Sequence, residues 1–263
     1  MAISETTTVT VKKVIGGRVT TVEDEVAREV PVTIFLNDEE LVTLVCSPGH
    51  LEELAVGFLC SEGILQERAD LKEVFIRPEE GLIWVETTRP VPARRQFLKR
   101  YITTCCGRGR STFYFVNDAR GISPVTSSLA VRGSTILEFS RELGKMAALF
   151  QTTGGTHSAA LYSANQRLLL YEDIGRHNAV DKIFGRAFLD GMALKDKLLV
   201  FSGRVSSEIL IKVARMGIPV IVARGAPTGL ALEMARETGV TVVGFAREGR
   251  MNIYTCPERI LFP

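Results

Sequence analysis

Two adjacent cysteines, Cys105 and Cys106, are flanked by glycines and arginines in the run TTCCGRGR. Nearby cations lower the pKa of a thiol and favour the nucleophilic thiolate, and glycine backbone allows a loop to reach a partner. The alternative is a pair of unreactive cysteines in a linker. Cys46 and Cys60 stand among apolar residues, which favours core packing, and no role is assigned to Cys256. The adjacent pair is therefore the candidate for thiol chemistry.

A metal site is not predicted, because the cysteines and histidines lack the spacing of tetrahedral zinc ligands. The sequence has no C-x-x-C pair and no H-x-x-x-H. The zinc deaminase pattern of H-x-E with P-C-x-x-C is also missing, since His157 is followed by Ser158 and Ala159. No G-x-S-x-G elbow surrounds Ser206 or Ser207. The sequence therefore lacks the catalytic residues of a nucleotide hydrolase or a deaminase.

Five loops combine glycine with Ser, Thr, Arg and His, a composition that suits an anionic ligand. Glycine lets the backbone approach a phosphate, helix N-termini offer N–H groups, and arginine adds charge. The alternative is that the glycines cap helices and the arginines are solvated, and neither GxxxxGK[ST] nor GxGxxG occurs after a strand. The loops are residues 153–157, 172–178, 202–207, 224–228 and 245–250, and their arginines include Arg204, Arg224, Arg247 and Arg250.

Strands alternate with helices of about a dozen residues in the second half, which predicts a mainly parallel sheet covered on both faces. A hairpin is predicted from residues 159–162 and 168–171, followed by strands at 198–201, 220–223 and 240–245. This topology brings the five loops, with His157 and His177, to the carboxyl edge of the sheet, where α/β proteins bind ligands. The apolar spacing from Ile136 to Phe150 predicts one continuous helix before these strands.

The first half predicts short strands and one good helix. Alternating residues between 26 and 45 turn at Asn37-Asp38, and a second strand pair turns at Glu79-Glu80-Gly81. Apolar residues from Leu51 to Leu59 share one helical face. Residues 89–110 lose this pattern and are rich in arginine, so we interpret them as a mobile basic segment between two domains.

Composition limits the function classes. The chain has 263 residues, 46% of them hydrophobic, and a net charge of +2, so it is a globular protein without a bulk attraction to nucleic acid or membrane. The N-terminal residues do not resemble a secretory signal, and no apolar run approaches the ~18 residues of a membrane helix. Five unpatterned cysteines argue against a disulfide framework. The expected location is the cytoplasm.

Several of these motifs, read together, resemble those of the formate dehydrogenase accessory sulfurtransferases. The resemblance runs from about residue 30 to the end of the chain, and the motifs around His157 and His177 are the most specific. The motifs are TGGTH at 153–157, EDIGRHNAVDK at 172–182, SGRVSSE at 202–208, GAPT at 225–228 and GFAREGRMNIY at 244–254.

This resemblance implies both a fold and a function. The fold is a cytidine-deaminase-like three-layer α/β domain at residues 121–263, preceded by a smaller N-terminal α+β domain at 1–120 that ends in a mobile cysteine loop. The function is a cytoplasmic sulfurtransferase that takes persulfide sulfur from a cysteine desulfurase. The sulfur passes to bis-molybdopterin guanine dinucleotide, carrying molybdenum or tungsten, for formate dehydrogenase. The implied protein is a homodimer without zinc.

The resemblance also implies site residues. The persulfide would form on Cys106, with Cys105 as a candidate auxiliary thiol. The cofactor-binding segment is Phe245, Ala246, Arg247, Glu248, Gly249 and Arg250, and weaker candidates are His157, His177 and Arg204. GDP is the expected mimic of the guanine dinucleotide.

The cysteine loop departs from the family pattern C-G-x-C-G, because Gly109 replaces the second cysteine. Adjacent cysteines form only a strained disulfide, so Cys105 is a poor substitute for that residue. The departure keeps an alternative open, in which the protein is a non-catalytic chaperone that binds and delivers the molybdenum cofactor.

Overall fold

The computed structural model describes residues 3–88, 101–102 and 122–262, with the backbone alone described for Tyr101 and Ile102. The chain begins with a hairpin of β1 (Thr6–Ile15) and β2 (Arg18–Ala27), which pair without a bulge. Gly16 and Gly17 form its turn with φ of 57° and 82°. Such a two-residue turn with positive φ matches the twist of an antiparallel hairpin. This hairpin was not predicted, although Gly-Gly between Val- and Thr-rich runs is the usual sequence signal of a two-residue turn.

A five-stranded sheet follows, and it confirms the predicted turn at Asn37-Asp38, where both residues have positive φ. The strand order is β5-β6-β3-β4-β7. Short strand β7 lies in the segment predicted to lack a pattern, and the rest of residues 89–110 lies outside the described residues. The strands are β3 (Val30–Leu36), β4 (Glu39–Cys46), β5 (Leu71–Arg77), β6 (Leu82–Thr87) and β7 (Tyr101–Ile102).

The second half contains a six-stranded sheet in the order β10-β9-β11-β12-β13-β14. Strands β11, β12 and β13 are parallel, whereas β9 runs antiparallel to both β10 and β11, and β14 runs antiparallel to β13. The sheet is therefore mixed, and the prediction of a mainly parallel sheet is wrong. A short parallel pair, β8 (Val131–Arg132) with β15 (Ile260–Leu261), lies outside it. The six strands are β9 (His157–Tyr162), β10 (Arg167–Asp173), β11 (Leu198–Phe201), β12 (Val220–Ala223), β13 (Thr241–Arg247) and β14 (Arg250–Ile253).

Helices cover both faces of the six-stranded sheet, so the protein has a mixed α/β fold. Helix α2 packs on one face, where Ile136, Phe139 and Leu143 join the buried core. Three helices, α4, α5 and α6, bury their apolar residues against the other face. The helices of this half are α2 (Gly133–Met146), α3 (Ala148–Thr153), α4 (Arg176–Leu189), α5 (Ser207–Arg215) and α6 (Gly229–Thr238).

The prediction of one continuous helix from Ile136 to Phe150 is wrong. Ala147 has ψ of 75°, outside the helical range, and separates α2 from α3. The break turns α3 toward β2 and leaves Phe150 48% exposed. Apolar spacing alone could not show a break, because the spacing persists across it.

The two halves meet where α1 (Leu51–Glu62) packs closely against α4. A Cβ placed on Gly57 would lie 1.7 Å from the backbone oxygen of Asp181, so only glycine allows this approach. The core of the first half also includes Phe188 of α4 at its edge. Within the described parts of the chain, no helix is long and apolar enough to cross a membrane.

Candidate functional site

The predicted convergence of polar loops is confirmed at the carboxyl edge of the six-stranded sheet. His157 at the start of β9 pairs with Asp173 at the end of β10. The N–H of Ser202 donates to the carbonyl of Ser158 at 2.9 Å, which joins the loop after β11 to β9. The N–H of Phe245, near the end of β13, donates to the carbonyl of Gly225 at 3.1 Å, which joins β13 to the loop after β12. The edge is therefore one continuous surface built from distant parts of the chain.

A cleft of about 480 Å³ opens at this edge, between α2 and the turn that joins β13 to β14. Its lining carries four cations and two carboxylates, so its net charge suits an anion. The Arg224 guanidinium is held by a hydrogen bond from Nη1 to the carbonyl of Ser140 at 3.1 Å. The cations are Arg141, Lys145, Arg224 and Arg247, and the carboxylates are Glu138 and Glu248.

The predicted cofactor-binding segment, Phe245 to Arg250, forms this turn, and only part of it faces the cleft. Arg247, Glu248 and Gly249 line the cleft, whereas Ala246 is fully buried beneath α2. The carbonyl of Ala246 accepts a hydrogen bond from the Ser140 hydroxyl, which anchors the turn to α2. The side chains of Phe245 and Arg250 are not among the lining residues.

Phe245 occupies an unusual backbone conformation, with φ of 53° at an irregularity between Gly244 and Arg247. A bulky side chain rarely adopts positive φ, and such strain is concentrated at functional positions. Irregular pairing at a strand end redirects the residues that follow it. The strained position therefore turns Arg247 and Glu248 toward the cleft.

His157, His177 and Arg204 lie on the same edge but do not line the cleft. His157 Nδ1 lies 3.0 Å from the Ser202 hydroxyl, which also accepts the Ser158 N–H at 3.1 Å. Burial lowers the pKa of His157, and the Arg176 guanidinium lowers it further, so the ring is neutral at pH 7. His177 Nε2 lies 3.6 Å from a carboxylate oxygen of Glu208. We refer to His157 and His177, with these partners, as the histidine corner.

A buried polar network supports the histidine corner, and sequence reasoning did not find it. The Lys182 ammonium lies 2.7 Å from Asp173, and both side chains are fully buried. Asp173 also accepts hydrogen bonds from the N–H of Gly175 at 2.8 Å and from the Asn178 amide at 2.9 Å. The N–H of Ser47 donates to the same carboxylate at 3.1 Å across 126 residues of sequence. The network fixes the start of α4 and ties it to the first half of the chain.

Glu172, next to this network, holds the loop that precedes β9. Its carboxylate accepts the N–H groups of Leu149 at 2.9 Å and Phe150 at 2.8 Å, at the start of α3. It also accepts the Thr156 hydroxyl at 3.1 Å. A carboxylate at a helix N-terminus satisfies unpaired N–H groups and complements the helix dipole. Glu172 therefore positions the loop that leads to His157.

The cysteines divide by environment. Cys46 and Cys60 are buried, which confirms their predicted place in the core, and Cys256 is partly exposed. Burial raises the pKa of Cys46 to about 12 and also raises that of Cys60, so both remain unreactive thiols at neutral pH. Cys105 and Cys106 lie outside the described residues, so their roles stay predictions.

Within residues 3–88 and 122–262, no group of three or more His, Cys, Asp or Glu side chains could hold a metal ion. The expectation of a protein without zinc stays a prediction. Sequence reasoning also missed Arg141 and Lys145 of the cleft. The sequence shows that these two residues lie four apart on the polar side of α2. No nearby residue indicates that this side of the helix faces the turn after β13.

The fold and the site together define a mixed α/β protein that gathers polar loops and a cationic cleft at one edge of its sheet. The sequence profile of the FdhD/NarQ family matches residues 27–261, and the chain belongs to this family. The resemblance stated from the motifs is thereby confirmed.

Relatives and a solved structure agree with this assignment. The chain is 42% identical over 245 residues to a sulfur carrier protein from Bacillus subtilis (strain 168), covering 93% of each chain. It is 45% identical over 243 residues to a sulfur carrier protein from Halalkalibacterium halodurans, covering 92% of this chain and 90% of the relative. A crystal structure of a candidate formate dehydrogenase accessory protein from Desulfotalea psychrophila matches with a TM-score of 0.81 at 27% identity. That match covers 98% of this chain and 100% of the other.

Proposed function

We propose that this protein is a sulfurtransferase that carries persulfide sulfur on Cys106. The sulfur comes from a cysteine desulfurase and passes to bis-molybdopterin guanine dinucleotide, which formate dehydrogenase then receives. The names of the relatives, which are sulfur carrier proteins, support the carrier role. The name of the structural neighbour supports the link to formate dehydrogenase.

The observation that carries the cofactor part of this proposal is the cationic cleft beside residues 247–249. A guanine dinucleotide presents a diphosphate, which arginine and lysine side chains bind through charge-assisted hydrogen bonds. A volume of about 480 Å³ is in the range of small-molecule sites. The guanine dinucleotide end of the cofactor is the part that fits this chemistry.

The sulfur part follows from thiol chemistry. The thiolate of Cys106 attacks the outer sulfur of the donor's persulfide, the donor's S–S bond breaks, and the donor leaves as a thiolate. Cys106 then carries the persulfide. Arg100, Arg108 and Arg110 are close in sequence and favour the thiolate, whereas the buried thiols of Cys46 and Cys60 are unsuited to this step.

The remaining expectations form part of the same proposal. We infer a cytidine-deaminase-like domain at residues 121–263, a smaller domain at 1–120, and a cytoplasmic location where a cysteine desulfurase is available. The guanine dinucleotide carries either molybdenum or tungsten. Zinc has no role in this mechanism.

The alternative is a chaperone that binds and delivers the cofactor without moving sulfur. Gly109 favours it, because this residue replaces the second cysteine of the family pattern. The alternative retains the cleft and its ligand and removes only the persulfide.

Labelling separates the two functions. The pure protein is incubated with a cysteine desulfurase and sulfur-labelled cysteine, and bound sulfur is located by mass spectrometry of peptides. We expect label on Cys106, its loss in Cys106→Ala, and most of it retained in Cys105→Ala. Cys256→Ala is the matched control, and GDP binding should be unchanged in all three variants.

The results decide the assignment. Label that persists in Cys106→Ala and disappears in Cys105→Ala would place the persulfide one residue earlier. Label unaffected by either substitution would leave the chaperone as the function.

A further inference from the structure

The cleft between α2 and the turn of residues 247–249 differs at its two ends. The end near the start of α2 is lined by a hydroxyl, an apolar side chain and a carboxylate, whereas the other end is lined by cations. A Cβ on Gly144 would overlap Arg224 Nη1, so this guanidinium belongs to the second end. We call these the carboxylate end, with Ser134, Leu137 and Glu138, and the cationic end, with Arg141, Lys145 and Arg224.

The cationic end is suited to the diphosphate of a nucleotide. Arg141 and Lys145 are four residues apart, so they lie on the same side of α2, where like charges destabilise a helix. Arg224 brings a third positive charge to this side. Among the side chains that the structure describes, Arg141 and Lys145 have no ion-pair partner. A diphosphate bound here relieves the repulsion through charge-assisted hydrogen bonds.

Glu138 lies where the base of such a nucleotide would reach. It precedes Lys145 by two turns on the same side of α2, which corresponds to about 10 Å along the helix axis. An extended nucleoside diphosphate spans a similar distance between its base and its terminal phosphate. Glu138 is exposed and pairs with no described cation, although Arg141 is only one turn away. Leu137 beside it offers apolar surface to a ring.

We propose that Glu138 selects guanine, by accepting hydrogen bonds from N1–H and from the 2-amino group of the base. An ionised carboxylate has only acceptors, and guanine presents these two donors side by side on one edge. Adenine presents the lone pair of its N1 at the same position, so its edge repels the carboxylate. This inference rests on the proposed function, since it takes the cleft as the site of the guanine dinucleotide. It adds a specificity residue that lies outside the segment 245–250.

Nucleotide selectivity of the full chain tests this role, with GDP, IDP and ADP titrated by calorimetry. IDP keeps N1–H and lacks the 2-amino group, so affinity should fall in the order GDP, IDP, ADP, with GDP binding about ten-fold or more tighter than ADP. Glu138→Gln should weaken GDP binding by about ten-fold, because the amide sets its own donor against the donors of guanine. The same variant should leave ADP binding unchanged or tighter, because it removes a negative charge from an anion site.

The matched control is Glu142→Gln. Glu142 lies one turn beyond Glu138 on α2, pairs with Arg167 at 3.1 Å and does not line the cleft. Its replacement should leave both affinities within about two-fold of the unaltered chain, since exposed charges away from a contact contribute little.

The direction of the changes decides the role of Glu138. Tighter binding of both GDP and ADP in Glu138→Gln would show that the carboxylate acts only through its charge and would overturn the proposal. So would a loss of the preference for GDP in Glu248→Gln alone, which would assign the contact to the other carboxylate of the cleft. Equal binding of GDP and ADP by the unaltered chain would overturn the selection of guanine and leave the diphosphate site in place. Binding of neither nucleotide would remove the cleft from the proposed function as well.

Discussion

Arg224 and Arg247 approach the cleft from different strands and differ in how firmly they are held. Arg224 is partly buried and donates to the Ser140 carbonyl, whereas Arg247 is exposed at the turn. A Cβ on Gly144 would lie 2.4 Å from Arg224 Nη1, so the glycine leaves space for this guanidinium beside α2. The cleft is therefore lined by one cation whose position is held by the protein, Arg224, and by one whose side chain can adjust to a ligand, Arg247.

Replacing Arg247 by alanine should weaken GDP binding by about 1–3 kcal/mol, because one charge-assisted contact to the diphosphate is lost. Isothermal titration calorimetry measures the change. Arg250→Ala is the informative companion, since Arg250 belongs to the predicted segment but does not line the cleft. Equal losses would assign binding to the whole segment, and unchanged affinity in both would remove this segment from the site.

His157 makes stability depend on pH in a predictable direction. Its folded-state pKa is lowered below 6.5, mainly by burial, so the unfolded chain binds a proton more readily than the folded protein. The stability associated with neutral His157 is fully present above the unfolded pKa of 6.5, and it is lost as the pH falls from there toward the lower folded-state pKa. Chemical denaturation from pH 7.5 to 5.5 should show a shallower loss of unfolding free energy in His157→Gln. Identical slopes in the two proteins would show that His157 is not the group responsible.

At the scale of elements, the contact between α1 and α4 depends on two glycines. A Cβ on Gly185 would lie 1.9 Å from the backbone oxygen of Glu53, and Gly57 faces the equivalent restriction from Asp181. Backbone atoms cannot move aside as a flexible side chain can. The closeness of these helices therefore sets how the first half sits on the second.

Gly185→Ala should lower the free energy of unfolding by about 3 kcal/mol, because the helices must separate to admit a methyl group. Gly229→Ala is the matched control at the start of α6, where a Cβ meets nothing within 4 Å. That variant should be neutral or slightly stabilising, since alanine favours helix. Urea denaturation of both variants decides the matter, and a neutral Gly185→Ala would contradict the close packing.

At the scale of the whole molecule, a buried ion pair joins three helices. The Lys212 ammonium of α5 lies 2.7 Å from Asp181 Oδ1 of α4, and the Ser61 hydroxyl of α1 donates to the same oxygen at 2.5 Å. Burial raises the pKa of the Asp181 carboxyl, and Lys212 opposes that shift. The three groups connect the first half of the chain to the second.

Lys212→Met should cost about 3–5 kcal/mol, because it leaves the Asp181 carboxylate buried without its cation. Adding Asp181→Asn should recover much of this loss, since no unpaired charge then remains. Thermal and urea unfolding measure both variants, with the exposed Lys72→Met as the control for lysine removal. If the double variant were as unstable as the single one, the charge would not be the cause.

Local patterns in the sequence were enough to predict most strands and helices of the second half and the edge where its loops meet. Strands β9 to β13 and their helices follow from local apolar spacing, and parallel strands place their carboxyl ends together whatever the details of packing. The place of Cys46 and Cys60 in the core also followed from their apolar neighbours. The candidate segment at 245–250 was assigned from its resemblance to a family motif, and this assignment does not depend on the tertiary structure.

Which of these residues act together depends on tertiary contacts that no local pattern in the sequence reveals. The tertiary structure placed Arg141 and Lys145 beside Arg247, separated the histidine corner from the cleft, and joined Ser47 to Asp173 across 126 residues. It also ended α2 at Ala147, within an unbroken apolar spacing. Local patterns report which side of an element is buried, but not which distant element buries it. That choice depends on packing between surfaces far apart in the chain, such as the glycine contact of α1 with α4.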